Sequence, residues 1–492
     1  MSLRINHNIS ALTALRNLDE TDRNLARSLE RLSSGFRINK GADSPAGLVI
    51  SEQMRGQIAG LNQAIANGEL ATAMVRTTEG ALTEINNLLI RMRQLALHAN
   101  NEGANDAKAL EADQLEIDNA VDTIRRIATT AQFGTKRLLD GSSGISGEAL
   151  GEGLTFVGAS VDTQTSPIEG YPVEITQVAT RAFMEGGSEI TEGNLPGLTV
   201  TLVEGGRTVQ TTAKAGDSPT SFFGRLKSEA AGAGLNLDLS FEGNTLVVVH
   251  REYGSQATFQ GSSSVSGVLS DSANLMQDAV PGQDLQGTIA GEAALGEGQT
   301  LRGLRGNRST DGLVVKYQGP LAEVGVTPDG QPIIARQPQV GVVGAVNVAN
   351  NSLDFQIGPN PGQRASVALP QAAPEKMGRQ VENESNFSSL AEVNVKTEQG
   401  ARDSIVIIDQ AIDDLTLARG ALGAFERNGL ERNIATLRVT AENLTAAEST
   451  IRDTDIAKEL TEYTKNRILF ETSSAMLAQA NQIPSTVVKL IK

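Results

Sequence analysis

The sequence has no cysteine and no tryptophan. The first absence excludes disulfides, thiolate metal sites and thiol catalysis. Aromatic residues make up only 3% of the 492 residues, thin material for a large globular core, where rings usually dominate buried area. Long helices packed by Leu, Ile and Ala suit this composition better. Histidine is almost as scarce: His7, His98 and His250 are the three present. None stands at ligand spacing from another, and His250-Arg251-Glu252 lacks the second histidine of a helical zinc motif. Basic residues are outnumbered, 42 against 58 acidic, for a net charge of −16, which argues against nucleic acid and anionic membrane surfaces as partners. No run of apolar residues is long enough to span a bilayer. The first residues, Met1 to Asp22, lack the apolar stretch of a secretory signal. Taken alone, that reads as a cytoplasmic protein.

Catalytic patterns are missing as well. Gly296-Glu297-Gly298 begins like a dinucleotide loop, but Leu301 stands where the third glycine belongs. There is no nucleophile elbow and no phosphate-binding loop. The many carboxylates read as a solvated face. The expectation is a non-enzyme with no catalytic, cofactor-binding or metal-binding residues and no cofactor.

Glycine and proline divide what is there. Residues 1–140 hold 9 Gly and 1 Pro, residues 396–492 hold 4 Gly and 1 Pro, and the stretch between holds 37 Gly and 13 Pro. Both residues disfavour helix interiors, so the ends can be helical and the middle mostly cannot. Leu15, Leu18, Leu25, Leu29 and Leu32 step at heptad spacings, with Ile5, Ile9 and Leu12 as a second strip. Ser44 before Pro45 caps a second helix, whose stripe runs from Met54 to Met92 and stops near Asn100-Asn101-Glu102-Gly103. A third helix carries Leu110, Ile117, Val121 and Ile124. Near the other end, Ile408, Leu415, Leu422, Leu437 and Leu444 lead to Ile456, Leu460, Tyr463, Phe470 and Leu477 in one heptad register. The terminal segments bury too little to offset their ordering entropy alone. Residues 1–35 and 455–492 are therefore expected to be largely disordered in a monomer, and to fold against each other and against neighbours in an assembly.

The middle alternates like strands at Leu198 to Val203, Leu235 to Leu239 and Thr245 to Val249, with a short helix near Ser221 to Ala230 and turns at Gly243-Asn244 and Asp329-Gly330. Residues 141–350 carry 22 acids and 11 bases, the balance of a separate, solvent-facing module. Gly147 to Gly153 is echoed at Gly291 to Gly298. The fold class expected is α+β and multidomain: a long antiparallel helical bundle or coiled coil from both termini, with a β-rich region inserted.

Several ordered motifs carry a resemblance. Glu30-Arg31-Leu32-Ser33-Ser34-Gly35-Phe36-Arg37-Ile38-Asn39 and Ala42-Asp43-Ser44-Pro45-Ala46-Gly47 closely resemble the N-terminal hallmark of bacterial flagellins. Thr77-Thr78-Glu79-Gly80-Ala81-Leu82, Ala131-Gln132-Phe133-Gly134 and Leu138-Leu139-Asp140-Gly141 are similar to the next ones. At the C-terminal end the matches are Ser449-Thr450-Ile451-Arg452-Asp453-Thr454-Asp455 and Ala475-Met476-Leu477-Ala478-Gln479-Ala480-Asn481-Gln482. Phe36 stands where Leu is common, and the tail 487–492 ends in a charge.

The resemblance implies a filament subunit for swimming motility. Its nearest alternatives are a hook–filament junction protein and a subunit whose outer domain is an adhesin. It implies that 1–43 and 454–492 pair as the innermost coiled coil around the channel, that 44–175 and 350–453 form a helical domain with a β-hairpin, and that 176–349 project outward. It reverses the localisation to an extracellular filament, exported without a cleaved signal. Implied partners are further copies of the chain, a C-terminal export chaperone, the filament cap and junction proteins, and the vertebrate toll-like flagellin receptor. Motif alignment places that receptor's contacts at Arg91, Leu95 and Glu116.

Overall fold

The computed structural model describes residues 8–490, apart from 102, 104, 327–331, 380 and 382. Ile5, His7 and the Asp329-Gly330 turn lie outside the described residues, as do the last two residues and the side chains from 483 onward.

The described residues form seven α-helices: α1 (Ile9–Ser34), α2 (Pro45–Ala99), α3 (Ala107–Thr130), α4 (Pro219–Gly232), α5 (Glu398–Ala424), α6 (Arg432–Arg452) and α7 (Ile456–Leu490). Their ends are written in the sequence. The Asn8 side chain accepts from the Ala11 N–H at α1, and Gly35 closes that helix at a φ of 77°. The Gly47 N–H donates to Ser44 Oγ at 3.2 Å in front of Pro45. Asp106 caps α3, and Ser218 forms a capping box on α4. Between α5 and α6 the chain stays helical through a π-helical segment, Phe425–Glu431.

The chain separates into two compact units. One takes the chain up to Arg76, Asp354–Ala365 and the chain from Ala421 onward. Within it, α2 packs on α6 through Leu61, Ala64, Leu437 and Ala441. A Cβ on Gly68 would sit 2.9 Å from Ile434 Cγ1, so the smallest residue is what lets the two helices meet here.

The second unit takes Thr77–Leu353 and Ser366–Gly420. Its helical part buries Leu82, Ile85, Leu89 and Met92 of α2, Ile117, Val121 and Ile124 of α3, and Ile407, Ile408 and Leu415 of α5. Its β part is antiparallel throughout the ladders described. An eight-stranded sheet runs in the order Ile145–Leu150, Gly341–Asn350, Tyr171–Gln177, Gln286–Ile289, Glu292–Glu297, Thr300–Gly303, Val314–Tyr317, Leu154–Gly158. It has its own core, including Val173, Ile175, Ile289, Leu301 and Val315. A four-stranded sheet (Gln277–Asp278, Gln260–Ser263, Thr199–Glu204, Arg207–Thr212) and a three-stranded sheet (Arg181–Glu185, Thr245–Tyr253, Leu237–Glu242) enclose a second core with α4. Phe222 and Leu226 of α4 are fully buried there.

The eight-stranded sheet crosses both boundaries expected around the outer region, at 175 and at 350. It pairs strands from 145–177 with strands from 286–350. The echoed glycine segments differ in this sheet: Gly147 to Gly153 is the end of one strand and the turn after it, whereas Gly291 to Gly298 is a strand with a turn at either end, and Gly151, Gly153, Gly291 and Gly298 have positive φ.

Candidate assembly site

Two of the motifs, more than 400 residues apart, meet. Phe36 and Asp453 form an antiparallel bridge. On either side of it the Arg37 N–H donates to the Arg452 carbonyl at 2.7 Å and the Thr454 N–H to the Gly35 carbonyl at 2.9 Å. The Arg452 guanidinium lies 4.9 Å from the Phe36 ring centroid and donates to Glu52 at 2.6 Å, so the Phe36 ring serves as a platform for a cation. The connection from α1 to α2 is tied by Asp43, which accepts the N–H groups of Lys40 at 2.9 Å and Asn39 at 3.1 Å. These bonds, that from Lys40 first, hold the Asp43 carboxyl below its ordinary pKa.

From this joint α1 and α7 run side by side, antiparallel. The Asn8 amide donates to the Ala480 carbonyl at 2.8 Å at one end, and Arg31 pairs with Glu459 at 3.5 Å at the other. On α1 the half-buried or buried positions include a line through Ala11, Ala14, Leu18, Thr21, Leu25, Ser28 and Leu32, at alternating steps of 3 and 4, with Asn24, Glu30 and Arg31 half-buried beside it. On α7 they include Glu459, Tyr463, Asn466, Phe470, Ser473, Leu477 and Ala480. The seam thus uses Leu18, Leu25, Leu32, Tyr463, Phe470 and Leu477 from the expected set.

It does not use the rest. Leu15 and Leu29 face away, Leu29 with 56% of its surface exposed, and so do Ile456 and Leu460. The register expected for α7, with Ile456 and Leu460 in line with Tyr463, is corrected by the position of Glu459. Glu459, paired with Arg31, stands on the inward line of the helix and Ile456 on the outward one. Thr21, Ser28, Asn466 and Ser473 were missed because a hydrophobic pattern passes over polar residues, although their heptad positions were a usable signal. Ile9, Leu12, Ile468, Leu469 and Met476 are exposed as well.

Of the three residues aligned with receptor contacts, two come together. Arg91 Nε donates to Glu116 Oε1 at 2.8 Å, with both side chains about half exposed. Leu95 does not join them at the surface: it retains 7% exposure and belongs to the helical core.

Among the described residues no cluster of three or more His, Asp or Glu is arranged to hold a metal, and no helix is long and apolar enough to cross a membrane. His98 Nδ1 lies 2.7 Å from Asp113.

The sequence matches two family profiles, the bacterial flagellin N-terminal helical region over residues 5–144 and the C-terminal helical region over 405–491. It is 30% identical to a flagellin of Clostridium tyrobutyricum over 97% of this chain and 99% of that one. The chain belongs to the bacterial flagellin family. It is a structural subunit of the flagellar filament, and the α+β architecture of paired helical ends around a β-rich middle is that of the family. The B-type flagellin of Pseudomonas aeruginosa is 29% identical over the full length of both chains. Among solved structures, FliC from Burkholderia pseudomallei aligns with 73% of the chain and 98% of its own at 16% identity; its TM-score of 0.26 is too low to carry an inference.

Proposed function

We propose that the subunit polymerises through the apolar side chains that its paired terminal helices leave uncovered. The carrying observation is that Leu12, Leu15, Leu29, Ile456, Leu460, Ile468, Leu469 and Met476 are exposed on two helices already packed against each other. Scattered surface leucines need no explanation, but a run of them along one helix pair does. In this reading residues 1–43 and 454–492 line the channel and the helical segments of 44–175 and 350–453 surround them. The β-rich region, assigned to 176–349 from its composition, projects outward. The subunit ends up outside the cell, exported without a cleaved signal. Cap and junction proteins meet the same terminal surfaces at the filament's two ends.

Deleting 1–35 or 455–492 tests this, because each deletion removes one side of the seam. The expected product is a folded, soluble central piece that gives no filaments in electron micrographs; normal filaments from either truncation overturn the reading. The 455–492 deletion also removes the proposed chaperone segment, whose apolar side chains include Ile456, Leu460, Leu469 and Leu477. Loss of chaperone binding on titration is expected, and undiminished binding counts against that partner.

Receptor recognition is proposed for the exposed Arg91–Glu116 pair, with Leu95 shaping the helix beneath rather than touching the partner. Arg91→Ala with Glu116→Ala should reduce monomer signalling in receptor-bearing cells by about tenfold or more. Equal activity of the double variant contradicts the assignment.

A further inference from the structure

A cleft in the β part lies away from the terminal helices. It has a volume of about 1020 Å³ and lies in the second unit, between the two β cores. One wall comes from the strands Arg181–Glu185 and Thr245–Tyr253, through Arg181, Arg251 and Tyr253. The other comes from the turn at Glu297 to Thr300 and the strand Val314–Tyr317, through Gln299 and Lys316.

The walls are fixed to each other. Asp284 accepts the Ser255 N–H at 3.1 Å and the Gly298 N–H at 2.8 Å, as well as the Ser255 hydroxyl. Gly254, at a φ of 107°, approaches so closely that an added Cβ would lie 2.5 Å from Asp284 Oδ1 and 2.8 Å from the Gly298 Cα. A cleft held open in this way need not be ordered by its ligand.

Its acids are mostly spent and its donors are not. Besides the occupied Asp284, Glu204 takes the Asn236 N–H at 3.2 Å and faces His250 Nε2 at 3.6 Å, and Glu252 takes the Asn236 amide at 2.9 Å. Of the acids lining the cleft, Glu297 alone has no donor at its carboxylate among the described residues. Against this, Arg181 sits with its guanidinium 4.6 Å from the Tyr253 ring centroid, and its buried Nε has no acceptor. Lys316 pairs with no carboxylate among the described residues. Asp238 is shared between Arg251 at 2.8 Å and the Arg181 Nη1 at 3.8 Å, and Arg336 donates to the Gly319 carbonyl. Amides and hydroxyls of Gln256, Gln299, Gln318, Thr258 and Thr300 complete the lining.

The Lys316 ammonium and the Arg181 Nε, left without acceptors among neutral amides and hydroxyls, suit a ligand with a few carboxylates and many hydroxyls. One partly covered ring is too little for a lipid or a polycyclic ligand, and the chain's net charge of −16 opposes a long polyanion. We propose that this cleft binds a short acidic oligosaccharide of the uronate type, with Lys316 and Arg181 engaging its carboxylates and the glutamine amides its hydroxyls. This gives the subunit a saccharide-binding site independent of polymerisation.

The test is titration calorimetry on the full-length monomer with tetragalacturonate, using maltotetraose as an uncharged probe of equal length. Saturable binding of tetragalacturonate is expected, with maltotetraose at least about tenfold weaker, and a loss of about tenfold or more in Lys316→Ala combined with Arg181→Ala. Since Arg181 packs on Tyr253, Lys316→Ala alone and Arg181→Lys are measured beside it, with unfolding midpoints checked. No saturable binding at millimolar probe, equal binding of maltotetraose, or binding unchanged in folded variants overturns the proposal. Any of these leaves the assembly reading untouched, because the experiment uses monomer.

Discussion

Gln114 looks like a gap in the apolar stripe of α3, yet it is buried, with 4% exposure. Its amide donates to the Val393 carbonyl at 3.1 Å, and its oxygen accepts the Val395 N–H at 2.7 Å. One side chain thereby satisfies two backbone groups of an irregular segment. Replacing it with leucine keeps the bulk and orphans both groups, so Gln114→Leu should cost about 2 kcal/mol or more, read as a lowered denaturant midpoint; an unchanged midpoint refutes the clamp. The heptad pattern marked the position as inward-facing, but the partner lies 279 residues away, and no periodicity encodes that. The same distinction holds for Leu15 and Leu29. Their residue type and spacing said that they are buried somewhere, and could not say whether inside one chain or between chains. Leu95 is the converse case. Motif alignment assigned it an outward role, and its i,i+4 relation to Arg91 suggested a shared face. The real face is wide enough to hold one of them in the core and the other at the edge.

At the level of elements, helix existence and ends were readable because capping is local. Ser44-Pro45 before α2 and Ser34-Gly35 after α1 need only neighbouring atoms to act. The strand segments at Thr199–Glu204 and Thr245–Tyr253 were readable from alternation, and α4 lies between them as expected. What escaped was pairing: the eight-stranded sheet joins segments on either side of residues 178–285, which hydrophobic alternation does not specify. The joint of α1, α2 and α6 makes an element-level prediction about acid. Asp43 is held below its usual pKa chiefly by the Lys40 N–H, and Glu52 chiefly by the Arg452 guanidinium. A carboxyl whose pKa is lower folded than unfolded stabilises fully above its unfolded value, about 4, and loses that contribution as pH falls through the folded value. The joint should therefore be indifferent to pH near neutrality and loosen in acid below about pH 4, seen as lowered amide protection factors at Asn39 and Lys40, relative to their intrinsic exchange rates at each pH. Asp43→Asn should blunt this dependence. Loosening centred near neutral pH would contradict it.

For the whole molecule, the composition break drawn by glycine and proline separated helical ends from a β-rich middle, and absence of cysteine fits a chain held together by packing alone. Function was legible because the motifs at the two ends form one structure: the hallmark around Phe36 and the signature around Asp453 are the two halves of a single backbone bridge. The saccharide cleft was not legible, since its lining comes from seven separated segments between Arg181 and Arg336. The central claim is that exposed leucines on a formed α1–α7 pair exist for neighbouring subunits. The most direct measurement is polymerisation of Leu29→Asp, followed by light scattering and electron microscopy, beside its thermal unfolding as a monomer. Leu29 is exposed in the single chain, so the account predicts an unchanged melting transition together with loss of filaments, because in the assembly the new charge would be desolvated. Normal filaments from this variant would contradict the account.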